Sequence, residues 1–186
     1  MEIKAVIFDL DGTLLDSMHI WQRESHNHPY NWDGIASSYQ NEVVLKPGAF
    51  EFLSQLRQSQ IRMVLATATD RHLMEPALHR NNIYDFFETI FTCGEVGASK
   101  ETPIIYHKAL DFLGLDKGEV VVFEDAFYAI KTAAKAGFKT VAVSDEWAQR
   151  LWGVAKVDAR EIDELAHLRI EDYRQLNFDN GRLEVS

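Results

Sequence analysis

Ala5-Val6-Ile7-Phe8-Asp9-Leu10-Asp11-Gly12-Thr13-Leu14-Leu15-Asp16-Ser17 is the stretch around which the chain is organised. Its apolar run, Ala5 to Phe8, has the length and β-rich composition of a strand buried on both faces. Two carboxylates follow, Asp9 and Asp11, with one residue between them. Side chains alternate along an extended chain, so the spacing predicts that both project the same way. Gly12 then permits a sharp turn. Two acids side by side at the carboxyl end of a buried strand occupy the edge where open α/β sheets place their ligands.

Adjacent carboxylates repel unless a cation or a shared proton relieves the charge. An all-oxygen set suits a hard ion such as Mg²⁺, which would then hold a substrate phosphate. One carboxylate is free to attack phosphorus, and the other can give and take the proton. The plain alternative for Asp-x-Asp alone is a solvated acidic turn. The longer pattern Asp-x-Asp-Gly-Thr-Leu-x-Asp-Ser after an apolar strand argues against that.

The 186 residues suffice for one ordinary domain with a substantial core. A net charge of −10, with no long Lys/Arg run, disfavours nucleic acid and anionic membrane as partners. One cysteine, Cys93, allows no internal disulfide and fits a reducing compartment. No apolar run approaches the ~20 residues of a membrane span. Met1 leads almost directly into the first strand, leaving no room for a signal peptide. The expectation is a soluble, cytoplasmic protein.

Further along, short apolar strands alternate with amphipathic helices. Strands are expected at 61–66, 89–92, 120–123 and 140–143, and helices at 50–59, 71–81, from Thr102-Pro103 onward, and at 126–136. Thr102 is expected as an N-cap with Pro103 at the first helical position, and Gly137 as a helix stop. Strand–helix repetition implies an α/β, Rossmann-like three-layer sandwich with a mainly parallel sheet. Residues 19–45 break the pattern. They carry His19, His26, His28, four Asn or Asp residues and the aromatics Trp21, Tyr30, Trp32 and Tyr39, and read as one or two short helices with loops.

Three more strand ends or helix starts carry chemistry. Thr67, with the free amide of Ala68, can bind phosphate oxygens at a strand-to-helix turn, although Thr67 or Asp70 would also serve as a helix cap. Lys100, just before a helix, would neutralise a phosphate as a point charge. Glu124-Asp125 ends the run Val-Val-Val-Phe, and two more acids beside Asp9 and Asp11 make sense around a cation.

In this order the set resembles the four motifs of the haloacid dehalogenase-like superfamily, with the first motif most similar to the β-phosphoglucomutase-like branch. The third motif pairs a lysine with a proline three residues on, matched by Lys100 and Pro103. An aspartate usually follows that proline and here it is Ile104. After the fourth motif, Ala126 and Ala129 stand where Ser and Gly are common. The resemblance implies Asp9 as nucleophile, Asp11 as general acid and base, and Thr67, Ala68 and Lys100 around the phosphoryl group. It also implies Mg²⁺ held by Asp9, Asp125, Glu124 and the main-chain carbonyl of Asp11. Relatives carry a helical cap between the first two motifs. Residues 19–45 are too short for the usual bundle, so the core would be 1–18 with 46–186, and 19–45 a shortened cap. An open site favours phosphomonoester hydrolysis over mutase chemistry, which must keep water from the phospho-enzyme. The phosphomutase and a catalytically inactive binding module are the competing readings.

The remaining features receive bland readings. The histidines lack partner cysteines at zinc spacing. Trp21 and Trp32 either cover the site or pack the insert. Cys93 reads as a small hydrophobe, and Asp16 and Ser17 as caps for the next helix.

Overall fold

The computed structural model describes residues 1–25, 31–151, 159–179 and 181–185. The apolar runs become strands β1 (Ala5–Phe8), β2 (Arg62–Thr67), β3 (Thr89–Thr92), β4 (Val120–Glu124) and β5 (Lys139–Val143). A further short strand, β6 (Leu168–Ile170), joins them, and β7 (Leu176–Asp179) and β8 (Arg182–Val185) form a separate hairpin. The helices are α1 (Met18–Ser25), α2 (Trp32–Asn41), α3 (Ala49–Gln58), α4 (Arg71–Arg80), α5 (Cys93–Val96), α6 (Ile104–Leu113), α7 (Phe127–Lys135), α8 (Glu146–Leu151) and α9 (Ala159–Leu165).

The main sheet has the order β3-β2-β1-β4-β5-β6, and each neighbouring pair is parallel. Crossover helices therefore cover both faces. β1 lies at the centre, with Ile7 level with Val64 on one side and Val122 on the other. Its four residues are fully buried. Burying Val6, Ile7 and Phe8 stabilises by roughly 1.5–3 kcal/mol each, which favours the middle of the sheet for this segment. Val6 and Phe8 enter one core cluster, Ala5 and Ile7 the other.

The insert does not stand apart from that core. Ile20, Ile35, Tyr39 and Val43 belong to the same buried cluster as Phe8, Leu53 and Met74. The end of the insert is clamped by the buried Lys46, whose Nζ donates to the Asp145 carboxylate and to the Ser144 carbonyl, both at 2.9 Å. The insert residues His26, Asn27, His28, Pro29 and Tyr30 lie outside the described residues.

One local expectation is corrected, and two contacts add to the rest. The sixth helix begins at Ile104 with Pro103 at the cap position, and the Thr102 hydroxyl donates to the Ser99 carbonyl at 3.2 Å. Thr102 is thus spent on the preceding turn. The Ser17 hydroxyl donates to the Asp11 carboxylate at 2.6 Å, a contact its reading as a cap did not include. The tail, weakly patterned as sequence, is ordered by contact with the core. Tyr173 packs on Phe52 and Phe123, and its hydroxyl donates to the Thr13 carbonyl at 3.2 Å. The hairpin exchanges main-chain bonds with the start of the chain, Leu183 N–H to Met1 and Ile3 N–H to Gly181.

Candidate active site

The register of the sheet decides what meets at its carboxyl edge. Phe8 is level with Phe123 and with Leu65, so Asp9, Glu124 and Thr67 emerge within one residue step of each other. The Asp9 N–H donates to the Phe123 carbonyl at 2.9 Å, which anchors the first acid to β4. Asp9, Asp11, Thr67, Ala68, Lys100, Glu124 and Asp125 all line one cavity of about 290 Å³. The residues singled out by sequence therefore share one place.

The charged half is built around Lys100. Its buried ammonium pairs with the Asp9 carboxylate and, at 2.6 Å, with Glu124. Burial alone would lower this ammonium, but the two carboxylates outweigh that and hold it well above the usual lysine range. Glu124 has little freedom left. One oxygen accepts from Lys100 and, at 3.2 Å, from the Tyr106 hydroxyl; the other accepts the amides of Asp125 and Ala126 at 2.9 and 3.0 Å. It shapes the turn after β4 as well as the charge.

Asp125 differs. Its Oδ1 accepts from the Thr13 hydroxyl at 3.1 Å, while its buried Oδ2 has no hydrogen-bond partner among the described residues. Burial first, then the nearby Asp9 and Glu124 charges, push its carboxyl well above the usual range. Gly12, at φ +79°, closes over it, and a Cβ there would collide with the Asp125 carboxylate. Ligand atoms of Asp9, Glu124 and Asp125 lie within 4.8 Å of one another. An oxygen-only set of three carboxylates with one orphaned buried oxygen fits a hard divalent cation such as Mg²⁺.

Asp11 sits in a different environment. The strand ends at Phe8 and the chain turns, so alternation does not govern where the Asp11 side chain goes. Its Oδ1 accepts from the Ser17 hydroxyl at 2.6 Å and from the Tyr39 hydroxyl; its Oδ2 accepts from Thr69 at 2.6 Å. Burial pushes its carboxyl up, against the three hydroxyls, which pull it down. Tyr39 is itself fixed by Trp21, whose Nε1 donates to the phenol oxygen at 2.8 Å.

Thr67 is fully buried, and its oxygen accepts the Thr69 amide at 3.1 Å, leaving its own proton available to a ligand. Asp70 occupies the cap position of α4 without a side-chain cap bond. Cys93 opens α5 half-buried against the second core cluster, and burial raises its thiol, the wrong direction for a nucleophile.

Sequence reasoning missed Thr69, Tyr39 and Ser17 as partners of Asp11, and Tyr106 as a partner of Glu124. Thr69 and Ser17 flank the quoted motifs and carry hydroxyls. Tyr39 had no signal, because its partner is set by how α2 packs.

A parallel α/β core with acids, hydroxyls and a lysine converging at one sheet edge describes a Rossmann-like hydrolase scaffold. The chain belongs to the haloacid dehalogenase-like hydrolase family, whose model matches residues 35–137. Among its relatives, Protein CbbY of Rhodobacter capsulatus is 25% identical, the match covering 79% of this chain and 88% of the relative. That alignment runs over 199 positions, more than the 186 residues here, so the relative carries residues without counterparts in this chain. Validoxylamine A 7'-phosphate phosphatase of Streptomyces hygroscopicus subsp. limoneus is 27% identical, covering 76% and 85%. In fold, the chain resembles a variant of CbbY from Rhodobacter sphaeroides crystallised with xylulose-(1,5)bisphosphate. The TM-score is 0.75 at 18% identity, covering 96% of this chain and 98% of that one.

Proposed function

We propose that the protein is a Mg²⁺-dependent phosphomonoester hydrolase working through an aspartyl-phosphate on Asp9. The observation that carries this reading is the contrast between two acids in one cavity. Asp9 is paired with a buried ammonium, while burial raises the Asp11 carboxyl among neutral hydroxyls. That is the division of labour between a nucleophile and a proton donor.

In the first half-reaction an Asp9 oxygen attacks phosphorus and the bond from phosphorus to the leaving oxygen breaks. The Asp11 proton passes to that oxygen. In the second half, the Asp11 carboxylate takes a proton from water, whose oxygen attacks phosphorus and frees Asp9 and inorganic phosphate. Thr67, the Ala68 amide and Lys100 hold the phosphoryl oxygens against developing charge. Asp9 and Asp125 would hold the cation through their side chains, with Glu124 beside them and the main-chain carbonyl of Asp11 as a further ligand. Bound Mg²⁺ would neutralise the clustered carboxylates and polarise a phosphoryl oxygen.

Residues 1–18 and 46–186 form the catalytic core in this reading, and 19–45 its reduced cover. The short insert argues against a mutase, since a phospho-enzyme under little cover is open to water. The substrate is a small phosphorylated metabolite met in the cytoplasm by a monomer or homodimer, and neither nucleic acid nor membrane is a partner. None of the described helices is long and apolar enough to cross a membrane.

The test is phosphate release from p-nitrophenyl phosphate and a panel of phosphometabolites, with Mg²⁺, with EDTA, and with Asp9→Asn. Turnover that needs Mg²⁺ and falls on the order of 10⁴-fold or more in the variant is expected. Folded, Mg²⁺-loaded protein without turnover would leave the inactive binding module as the better description.

A further inference from the structure

Two side chains of the insert reach Asp11 in series. Trp21 of α1 donates its indole N–H to the Tyr39 hydroxyl of α2 at 2.8 Å, and that hydroxyl donates to Asp11 Oδ1. The order follows from the groups themselves, because an indole nitrogen can only donate and a phenol has a single proton. With the indole N–H pointing at its oxygen, Tyr39 directs that proton at Asp11. The two rings also meet edge-on, centroids 6.2 Å apart, which holds the phenol in this direction.

The two oxygens of Asp11 are thereby made unequal. Oδ1 accepts from Tyr39 and, at 2.6 Å, from Ser17, and both of these residues are fully buried. Oδ2 meets the Thr69 hydroxyl at 2.6 Å, and Thr69 lines the cavity. A proton on Oδ1 would have to turn a donor away, and the Tyr39 proton has nowhere to turn with the indole N–H behind it. The Thr69 hydroxyl can rotate and accept from a protonated Oδ2.

We propose that Trp21 and Tyr39 are positioning residues that fix the acid proton on Oδ2 of Asp11, so that the short insert serves the chemistry as well as covering the site. In the first half-reaction the Oδ2–H bond breaks as that proton joins the leaving oxygen, which keeps the electron pair of its broken bond to phosphorus. In the second, Oδ2 takes the proton of the attacking water. These steps rest on the phosphatase reading; the order of the hydrogen bonds does not.

The test replaces Trp21 by benzothienylalanine, which keeps the shape of the ring and puts sulfur in place of the N–H. Steady-state kinetics with Mg²⁺ would compare p-nitrophenyl phosphate with an alkyl phosphate that the wild type hydrolyses, such as glycerol phosphate. An alkyl leaving group needs the proton, so its kcat should fall about 5-fold, the scale of one neutral hydrogen bond. The p-nitrophenyl ester, whose phenolate leaves without help, should change by less than about 2-fold, and KM should hold for both. An equal loss on both substrates, or no loss on either, overturns the proposal. The second readout needs no turnover. Asp11→Asn imitates the protonated acid, with an amide nitrogen in place of the oxygen that carries the proton. In its nuclear magnetic resonance spectra the side-chain amide protons should show Overhauser contacts to the Thr69 methyl group. Contacts to the Tyr39 ring instead overturn the proposal. Should wild type hydrolyse neither substrate, the hydrolase reading fails, and the amide orientation still decides this one.

Discussion

Asp9 and Asp11 are two residues apart and live in opposite worlds. Asp9 faces a buried ammonium within a cluster of four charged side chains. Asp11 faces three hydroxyls from three different segments, Ser17, Tyr39 and Thr69. A cation favours the ionised carboxylate strongly, whereas hydroxyls stabilise it less and compete with burial. Identical side chains are thereby placed in different electrostatic environments by what packs around them.

The largest effect in that contrast belongs to Lys100. Lys100→Met would strand Asp9 and Glu124 as buried like charges and should cost about 3–5 kcal/mol of stability. Denaturant unfolding measures it, and added Mg²⁺ should return part of the loss. A variant as stable as wild type without metal would dissolve the distinction between the two carboxylate sites.

Asp125 sharpens the charged side. Its Oδ2 has no protein partner among the described residues and its carboxyl is pushed up by burial and by Asp9 and Glu124. Asp125→Asn should raise thermal stability in EDTA by about 1–2 kcal/mol. In saturating Mg²⁺ the order should reverse, because the wild-type protein gains more from the ion it binds. Melting curves with and without Mg²⁺ decide it, and a variant less stable in both conditions contradicts the metal-site reading.

Tyr39→Phe probes the hydroxyl side. Removing one donor from Asp11 should lower kcat about 10-fold. The loss should grow as the leaving alcohol becomes more basic, since only then does proton donation limit the rate. A uniform loss across a series of aryl phosphates would mean that Tyr39 merely packs.

The smallest effect comes from the exposed counterpart of the Lys100 pairing. Arg62 binds Glu88 with two bonds, at 2.8 and 2.6 Å, yet both side chains are more than a third exposed. Glu88→Gln should cost no more than about 0.5 kcal/mol. The Arg62 bond holds the Glu88 carboxyl below its usual range. The stability it adds is therefore present above the unfolded-state value and lost as pH falls through the lowered one. A urea series from neutral to acid pH, wild type against variant, would show the difference vanish.

The strands could be read from the sequence because each is a short apolar run that ends abruptly in polar residues. β1 and β3 have the predicted limits, and β2, β4 and β5 are shifted or extended by a residue. β6 and the β7–β8 hairpin were not foreseen. Their residues are weakly patterned, and their order comes from partners such as Val141 and Met1 far away in the chain. The same holds within the site. Lys100 and Glu124 are legible because each follows or precedes a regular element at a motif position. The partners of Asp11 are scattered over residues 17, 39 and 69 with no common spacing.

Sequence by itself thus determined the α/β alternation, the four chemical motifs and the brevity of the insert, since these depend on local composition and order along the chain. Tertiary structure alone decided that Glu124 holds Lys100, that Thr13 reaches Asp125 and leaves its other oxygen without a partner among the described residues, and that Tyr39 reaches Asp11. Those contacts join residues 24 to 112 positions apart. They exist because a parallel register aligns strand ends and a short helix folds back over them, which no local pattern encodes.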